Sequence, residues 1–358
     1  MRRTLTSILP FLPSLALGAS LAACASGGTP ASTTFVTPVE GERHLRNIRQ
    51  LTFSGNNAEA YFSADGKRIV FQRQPDITKG CDQMYIMNID GSSMHHVANG
   101  IGKNTCGYFY ANDSRIIYAS TAPNDSGCPI PPDRSQGYVW GLNKYELFTS
   151  KADGSDLKQL TANGMYNAEA TLSPDGQRVI FTSTRDGDLE LYTMKVDGSD
   201  VRRLTNRVGY DGGAFYSPDG SKIVWRAWYP VAAADSADYL RLLGQRMVRP
   251  SRMELWVANA DGSDAHKITD LGGANFAPFF TPDGKKIIFA SNHTNPRGRN
   301  FDLFLVNVDG SGLEQVTADP DFDGFPMFDR TGKKLVWASN RHAAIPGETN
   351  IFIADWID

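Results

Sequence analysis

The sequence has little positive charge to spare. Lys and Arg total 36 against 39 Asp and Glu in 358 residues, a formal charge of −3 without basic runs. That balance argues against a nucleic-acid partner, which needs a concentrated positive surface. Histidine is scarce too: His95 and His96 fall on one strand, while His44, His266, His293 and His342 are scattered. No converging set can be assembled from them for a metal-dependent reaction. The sequence has no G-x-S-x-G elbow, no glycine-rich phosphate loop and no H-E-x-x-H. Its four cysteines form no C-x-x-C pair, which removes a zinc site of the usual spacing. Signals for catalysis are therefore poor.

The N-terminus carries its own message. Arg2 and Arg3 precede an apolar run from Leu5 to Leu21, interrupted by Pro10 and Pro13, so residues 1–23 read as a signal peptide rather than a membrane span. Losing both arginines takes the charge from −3 to −5. The run ends Leu21-Ala22-Ala23-Cys24, which resembles the bacterial lipobox and implies acylation of Cys24. Residues 24–42, rich in Ala, Ser, Gly, Thr and Pro, read as a flexible tether behind the acyl anchor. Ala25 is not the Asp that marks inner-membrane retention, so an outer-membrane lipoprotein on the periplasmic side is expected. In that oxidising compartment one disulfide among Cys81, Cys106 and Cys128 is expected, with the pairing open.

Two turn signals alternate through the remainder, residues 43–358. The first is Ser-Pro-Asp-Gly at Ser173 and Ser217 and Thr-Pro-Asp-Gly at Thr281, with weaker copies at Ser63, Ala111 and Asp329. Proline presets φ, glycine ends the turn, and β-branched or aromatic runs flank it, which makes a hairpin. The second is Asp-Gly-Ser at Asp90, Asp153, Asp197, Asp261 and Asp309. Each unit thus holds four strands, a to d, with a shortest period of about 44 residues (Asp175 to Asp219). Six units predict an all-β, six-bladed β-propeller of four-stranded antiparallel blades. The sixth lacks its fourth strand, and a spare copy stands at Asn47–Thr52. The N-terminal strand is therefore expected to close the last blade and remove two sheet edges.

These units resemble the PD40 (WD40-like) repeats of TolB-like propellers, over essentially all of residues 43–358. The resemblance implies an exported propeller that works by binding, as a monomer. TolB carries an α/β domain ahead of its propeller, for which residues 1–42 leave no room.

Aligning the units on the turn Asp places Asn57, Thr105, Asn167, Asp211, Asn275 and Asp323 at one position, at the channel mouth before strand a. Glu59 and Glu169 follow two residues later. Such oxygens could bind a basic or hydroxyl-rich ligand, or hold Ca2+ at Glu59, Glu169, Asp211 and Asp323; Asn and Asp also simply cap loops. No other cofactor is implied. Two b–c loops on the same face are longer by about 20 residues. Residues 123–143 are proline-rich with Tyr138 and Trp140, suited to peptides or sugars. Residues 229–251 include a helical stretch, Asp235 to Met247, with Leu240, Leu243 and Met247 on one stripe. Arg185, Arg226 and Arg341 follow b strands nearby and could pair with the carboxylates. The expectation is a propeller that binds a protein or peptide partner through this face. The alternatives are a carbohydrate- or peptide-active hydrolase or lyase using the carboxylates, and a structural envelope component.

Overall fold

The computed structural model describes residues 34–135 and 137–358; the signal segment and Cys24 lie outside them. Six antiparallel sheets follow one another, each running from strand a at the ring axis to strand d at the rim. In blade 3 these are Asn167–Leu172, Arg178–Ser183, Glu190–Lys195 and Arg202–Arg203. The b strands carry the densest core: Ile69, Val70, Phe71, Val179, Ile180 and Phe181 are all fully buried. They lie between neighbouring sheets, so both faces must be apolar.

The two turn signals work by different chemistry. In Asp-Gly-Ser the carboxylate accepts the Ser backbone N–H two residues on, at 2.9 Å for Asp153 and Asp197, with glycine in the left-handed region. In Ser-Pro-Asp-Gly the Ser173 hydroxyl donates to Asp175, which accepts the Gln177 N–H at 3.0 Å. Blade 2 departs from the expected alignment by one residue. There the hairpin closes from Tyr110 N to Arg115 O, where blade 1 uses Ser63 N to Arg68 O. Asp113, at φ +58°, occupies the glycine place. Asn104, not Thr105, is consequently the first-position residue of that blade.

Ring closure follows the expected route and goes further. Leu45–Gln50 pairs with Asn350–Trp356 as the fourth strand of blade 6. Thr34–Val36 then adds a fifth strand outside it, with Phe35 opposite Arg49. Residues 34–42, expected to be tether, are thus part of the ring. Glu42 is buried and binds Arg341 at 2.8 Å; Arg341, 1% exposed, also binds Asp323 at 2.7 Å. The tether composition misleads here because a three-residue edge strand and one buried carboxylate suffice to dock the segment.

The two long loops fold against each other. Trp140–Gly141 and Met247–Val248 form a small antiparallel sheet, and a helix, Ala233–Gly244, lies beside it. Its buried residues are Tyr239 and Leu242, whereas Leu240 is 54% exposed. The expected stripe is rotated because Tyr239 reaches inward to Asp188 and the Gly209 carbonyl. A Cys81–Cys128 disulfide ties the first insertion to blade 1 and leaves Cys106 as a free thiol.

Candidate functional site

Strand a determines what the channel presents. One residue at or next to its start, deep between blades, is fully buried in every blade: Asn57, Asn104, Asn167, Asp211, Asn275 and Asp323. These side chains brace the fold. Asn167 donates to Glu146 of the preceding blade at 3.1 Å and accepts from Ser183 at 2.8 Å. Asn275 repeats this with Glu254 and Ser291. Asn57 donates to the Thr349 carbonyl at 2.8 Å across the ring closure. Where strand b offers tryptophan, the residue is Asp instead: Trp225 Nε1 donates to Asp211 at 2.6 Å and Trp337 Nε1 to Asp323 at 2.9 Å. Desolvation pushes both acids up, Asp323 to about 6. The expected ligand ring at this position is therefore corrected to a set of blade-to-blade braces. Thr105, beside it, is buried and donates to Gln72.

Two residues deeper every strand a makes a bulge with positive φ, at Glu59, Cys106, Glu169, Gly213, Ala277 and Phe325. The ladder to strand b is interrupted there in each case. A bulge re-aims its side chain, and Glu59, Cys106 and Glu169 keep partial exposure beside fully buried neighbours such as Ala60 and Ala168. These three, on consecutive blades, make one half of the channel ionisable. Ala277 and Phe325 make the other half apolar, Phe325 lying 5.3 Å from the Phe276 ring.

Blade 4 supplies the cation. Gly213 leaves the space in which Arg226 sits, since a Cβ there would lie 1.9 Å from Arg226 Nη1. Arg226 binds the Glu169 carboxylate and donates to Tyr210 Oη at 2.7 Å. Thr182 donates to the second Glu169 oxygen at 2.8 Å. The Trp140 ring of the lid lies 5.5 Å from the guanidinium, a cation–π contact. Below the bulges, Tyr61, Tyr108, Phe215 and Phe279 meet at ring separations of 5.3–6.0 Å. Blades 1 and 4 face each other across the axis, so the Tyr61–Phe215 contact stoppers the channel.

Its electrostatics are uneven. Glu169 has Arg226, and Asp82 has Lys103 at 3.0 Å. Glu59 makes no ion pair among the described residues; its hydrogen-bonding neighbour is the Cys106 thiol. Burial, then the Glu169 charge, lift Glu59 from the ordinary 4.5 to about 7. Burial and the two glutamates push the Cys106 thiol up, so it is held as the unreactive neutral form.

The other expected site residues are dispersed. Arg185 donates to Ser183 and Asn167 at 3.1 Å and stacks over Phe181 and Tyr192. Tyr138 is 56% exposed on the lid, its hydroxyl accepting from Trp140 Nε1. The expected Ca2+ set does not assemble: Asp211 and Asp323 are enclosed braces. Among the described residues no group of three or more His, Cys, Asp or Glu side chains could hold a metal ion. Arg226 fills the cationic role. Cys106, Tyr210 and Gly213 were missed, and the Gly212-Gly213 pair at the start of a strand was the available signal.

Comparison with known proteins matches this architecture. The family described as the TolB beta propeller domain, PD40, matches residues 141–229. No curated protein matches the sequence. Among solved structures, a putative TolB from Agrobacterium tumefaciens is similar with a TM-score of 0.54 and 18% identity, covering 85% of this chain and 91% of that one. An oligogalacturonate lyase from Vibrio parahaemolyticus gives 0.52 and 14%, covering 91% and 97%. A gluconolactonase from Xanthomonas campestris gives 0.56 and 12%, covering 92% and 96%. At these identities the likeness establishes the fold, which binders and enzymes share. The chain is a six-bladed β-propeller whose residues 141–229 match the TolB beta propeller domain, PD40.

Proposed function

We propose that the protein is a lipid-anchored propeller of the periplasmic side of the cell envelope that binds a protein or peptide partner through its lid face. One observation carries this reading. The two insertions build a single raised surface that stays apolar: Ile130 is 89% exposed, Val231 90%, Tyr138 56% and Leu240 54%. Between the insertions runs a groove of about 500 Å3 lined by Pro129, Ile130, Leu142, Lys144, Arg246 and Met247. Exposed apolar groups rimmed by charge are the usual mark of a protein contact. Among the described residues no helix is long and apolar enough to cross a membrane, so attachment in this reading falls to Cys24.

The test places a photoreactive amino acid at Ile130, Val231 or, on the far face, Lys285, in cells. Adducts to one defined protein from the two lid positions and none from Lys285 support the reading. Equal adducts from both faces refute it. Cys24→Ser should abolish fatty-acid labelling; persistent labelling removes the anchor from the proposal.

Hydrolysis by paired carboxylates has less support. That chemistry needs two carboxyl groups free to reach substrate. Glu169 is bound by Arg226 and Thr182, and Asp211 by Trp225 and Tyr229. Only Glu59 remains.

A further inference from the structure

The groove between the two insertions carries charge that the fold does not use. Its cations, Lys144 and Arg246, are both exposed, and neither makes an ion pair among the described residues. Nearby arginines of the same insertion behave differently: Arg241 holds Asp238 at 2.6 Å and Arg252 holds Asp235 at 2.9 Å. Among the described lining residues the single carboxylate is Asp125, which accepts the Gly127 backbone N–H at 2.9 Å. The groove is thus net positive on a chain that is net negative. Arg246 also stands in a strained place. The helix ends with Gln245 N bonded to the Leu242 carbonyl and Arg246 N to that of Leu243, and Arg246 lies at φ +55°. Glycine is the usual residue at such a helix end, because a Cβ is crowded there. The rest of the lining is stiff and aliphatic. Pro129 and Pro132 belong to it, and Cys128, next to Pro129, is tied to Cys81. Met247 sits in the small sheet with Gly141. A groove held by prolines, a disulfide and a sheet loses little freedom when it is filled.

We propose that this groove takes an extended acidic segment of a protein partner, with carboxylates on Lys144 and Arg246 and aliphatic side chains against Pro129, Ile130 and Met247. The inference rests on the lid-face reading and names the chemistry of its partner. Charge complementarity selects the occupant: unpaired cations beside an apolar groove attract carboxylates and repel basic segments. A purely apolar segment would cover both cations without giving them a partner. A sugar is disfavoured, because no aromatic ring lines the groove among the described residues and stacking surface is missing. A membrane is disfavoured by shape, since the site is a recess of about 500 Å3, a size that suits a short stretch of chain.

The experiment is calorimetric titration of the purified protein with acetyl-Leu-Glu-Leu-Glu-Leu-amide and with the same peptide carrying Gln or Lys in place of Glu. Saturable one-to-one binding of the Glu peptide is expected, with the Gln peptide weaker by about tenfold or more and the Lys peptide unbound. Salt at about 0.5 M should weaken the Glu peptide and leave the Gln peptide unchanged. Lys144→Gln and Arg246→Gly should each weaken the Glu peptide by about tenfold, the equivalent of one charge-assisted hydrogen bond. Glycine suits φ +55°, so Arg246→Gly should hold or raise stability in urea unfolding while it loses affinity. Phosphatidylglycerol vesicles added in competition should leave the peptide bound; displacement by them makes a membrane the occupant and overturns the proposal. So does absence of Glu-peptide binding, equal binding of the Gln peptide, or unchanged affinity in both folded variants. If the peptide fails while Ile130 and Val231 still capture one protein in cells, the acidic chemistry falls and the lid-face reading stands. Equal adducts from both faces together with the expected peptide binding sink that reading and support the groove's specificity.

Discussion

Replacing Glu59 by Gln removes a single proton-binding site and keeps the shape, so its effect on stability must depend on pH in a calculable way. In the folded ring, burial and Glu169 lift this carboxyl from 4.5 to about 7, against smaller opposing pulls from Cys106 and Arg226; Asp82 adds a small upward push. In the unfolded chain it ionises near its ordinary value. Folding therefore proceeds without penalty below pH 4.5, and stability is lost as pH rises from there through 7. The shift corresponds to about 3 kcal/mol, fully expressed by pH 8. Glutamine never ionises. The variant should match the wild type near pH 4.5 and exceed it by about 3 kcal/mol at pH 8, or about 4 °C in melting temperature for a domain of this size. Asp302 and Asp323, also lifted to about 7 and about 6, titrate in both proteins and cancel in the difference. Urea unfolding at several pH values from 4.5 to 8 gives the difference directly. A stability difference that stays constant across that range would refute the assignment of Glu59 to a desolvated position beside Glu169.

Three further outcomes follow from contacts described above. Glu42→Ala leaves Arg341 buried with one carboxylate fewer; chemical denaturation should show a loss of about 3 kcal/mol. Serine at both Cys81 and Cys128 opens a cross-link spanning 47 residues and should cost about 2–4 kcal/mol, with protease cleavage between residues 123 and 137 as the local readout. Tyr239→Phe removes the hydroxyl that donates to Asp188 and the Gly209 carbonyl. It should cost about 1–2 kcal/mol and speed amide exchange in residues 233–244 ahead of the rest of the ring.

What could be read from the residues was the part encoded locally. Ser-Pro-Asp-Gly and Asp-Gly-Ser are complete instructions for a turn, and counting them yields the blades and the missing strand. The channel residues were only half legible. Glu59 and Glu169 stood out as carboxylates, but their direction depends on a bulge whose positive φ is shared by Cys106, Ala277 and Phe325, residues with no common chemistry. Asn167 and Asp211 drew attention because they recur, yet recurrence there reflects bracing between blades. The Asp-to-Trp separation in Asp211–Trp225 and Asp323–Trp337 was a sign of that role. Blade 2 slipped because Asp113 stands where glycine is expected, which moved Asn104 out of alignment. Arg185 and Arg226 were both expected after a b strand, but Arg185 lies past the end of Arg178–Ser183 while Arg226 lies within Lys222–Trp228, opposite Gly212, where the vacancy at Gly213 receives it.

The closure of blade 6 has a consequence in time. Leu45 pairs with Trp356, and Gln50 with Phe352, so the inner edge of the first hairpin finds its partner only when the last strand exists. During synthesis that edge must wait unpaired while five blades are completed behind it. The entropy of joining such distant residues falls on the final step. Under the proposed export, a chain that cannot finish its ring until its end is available remains open to a machinery that handles unfolded polypeptides, and it locks only once all of it has arrived.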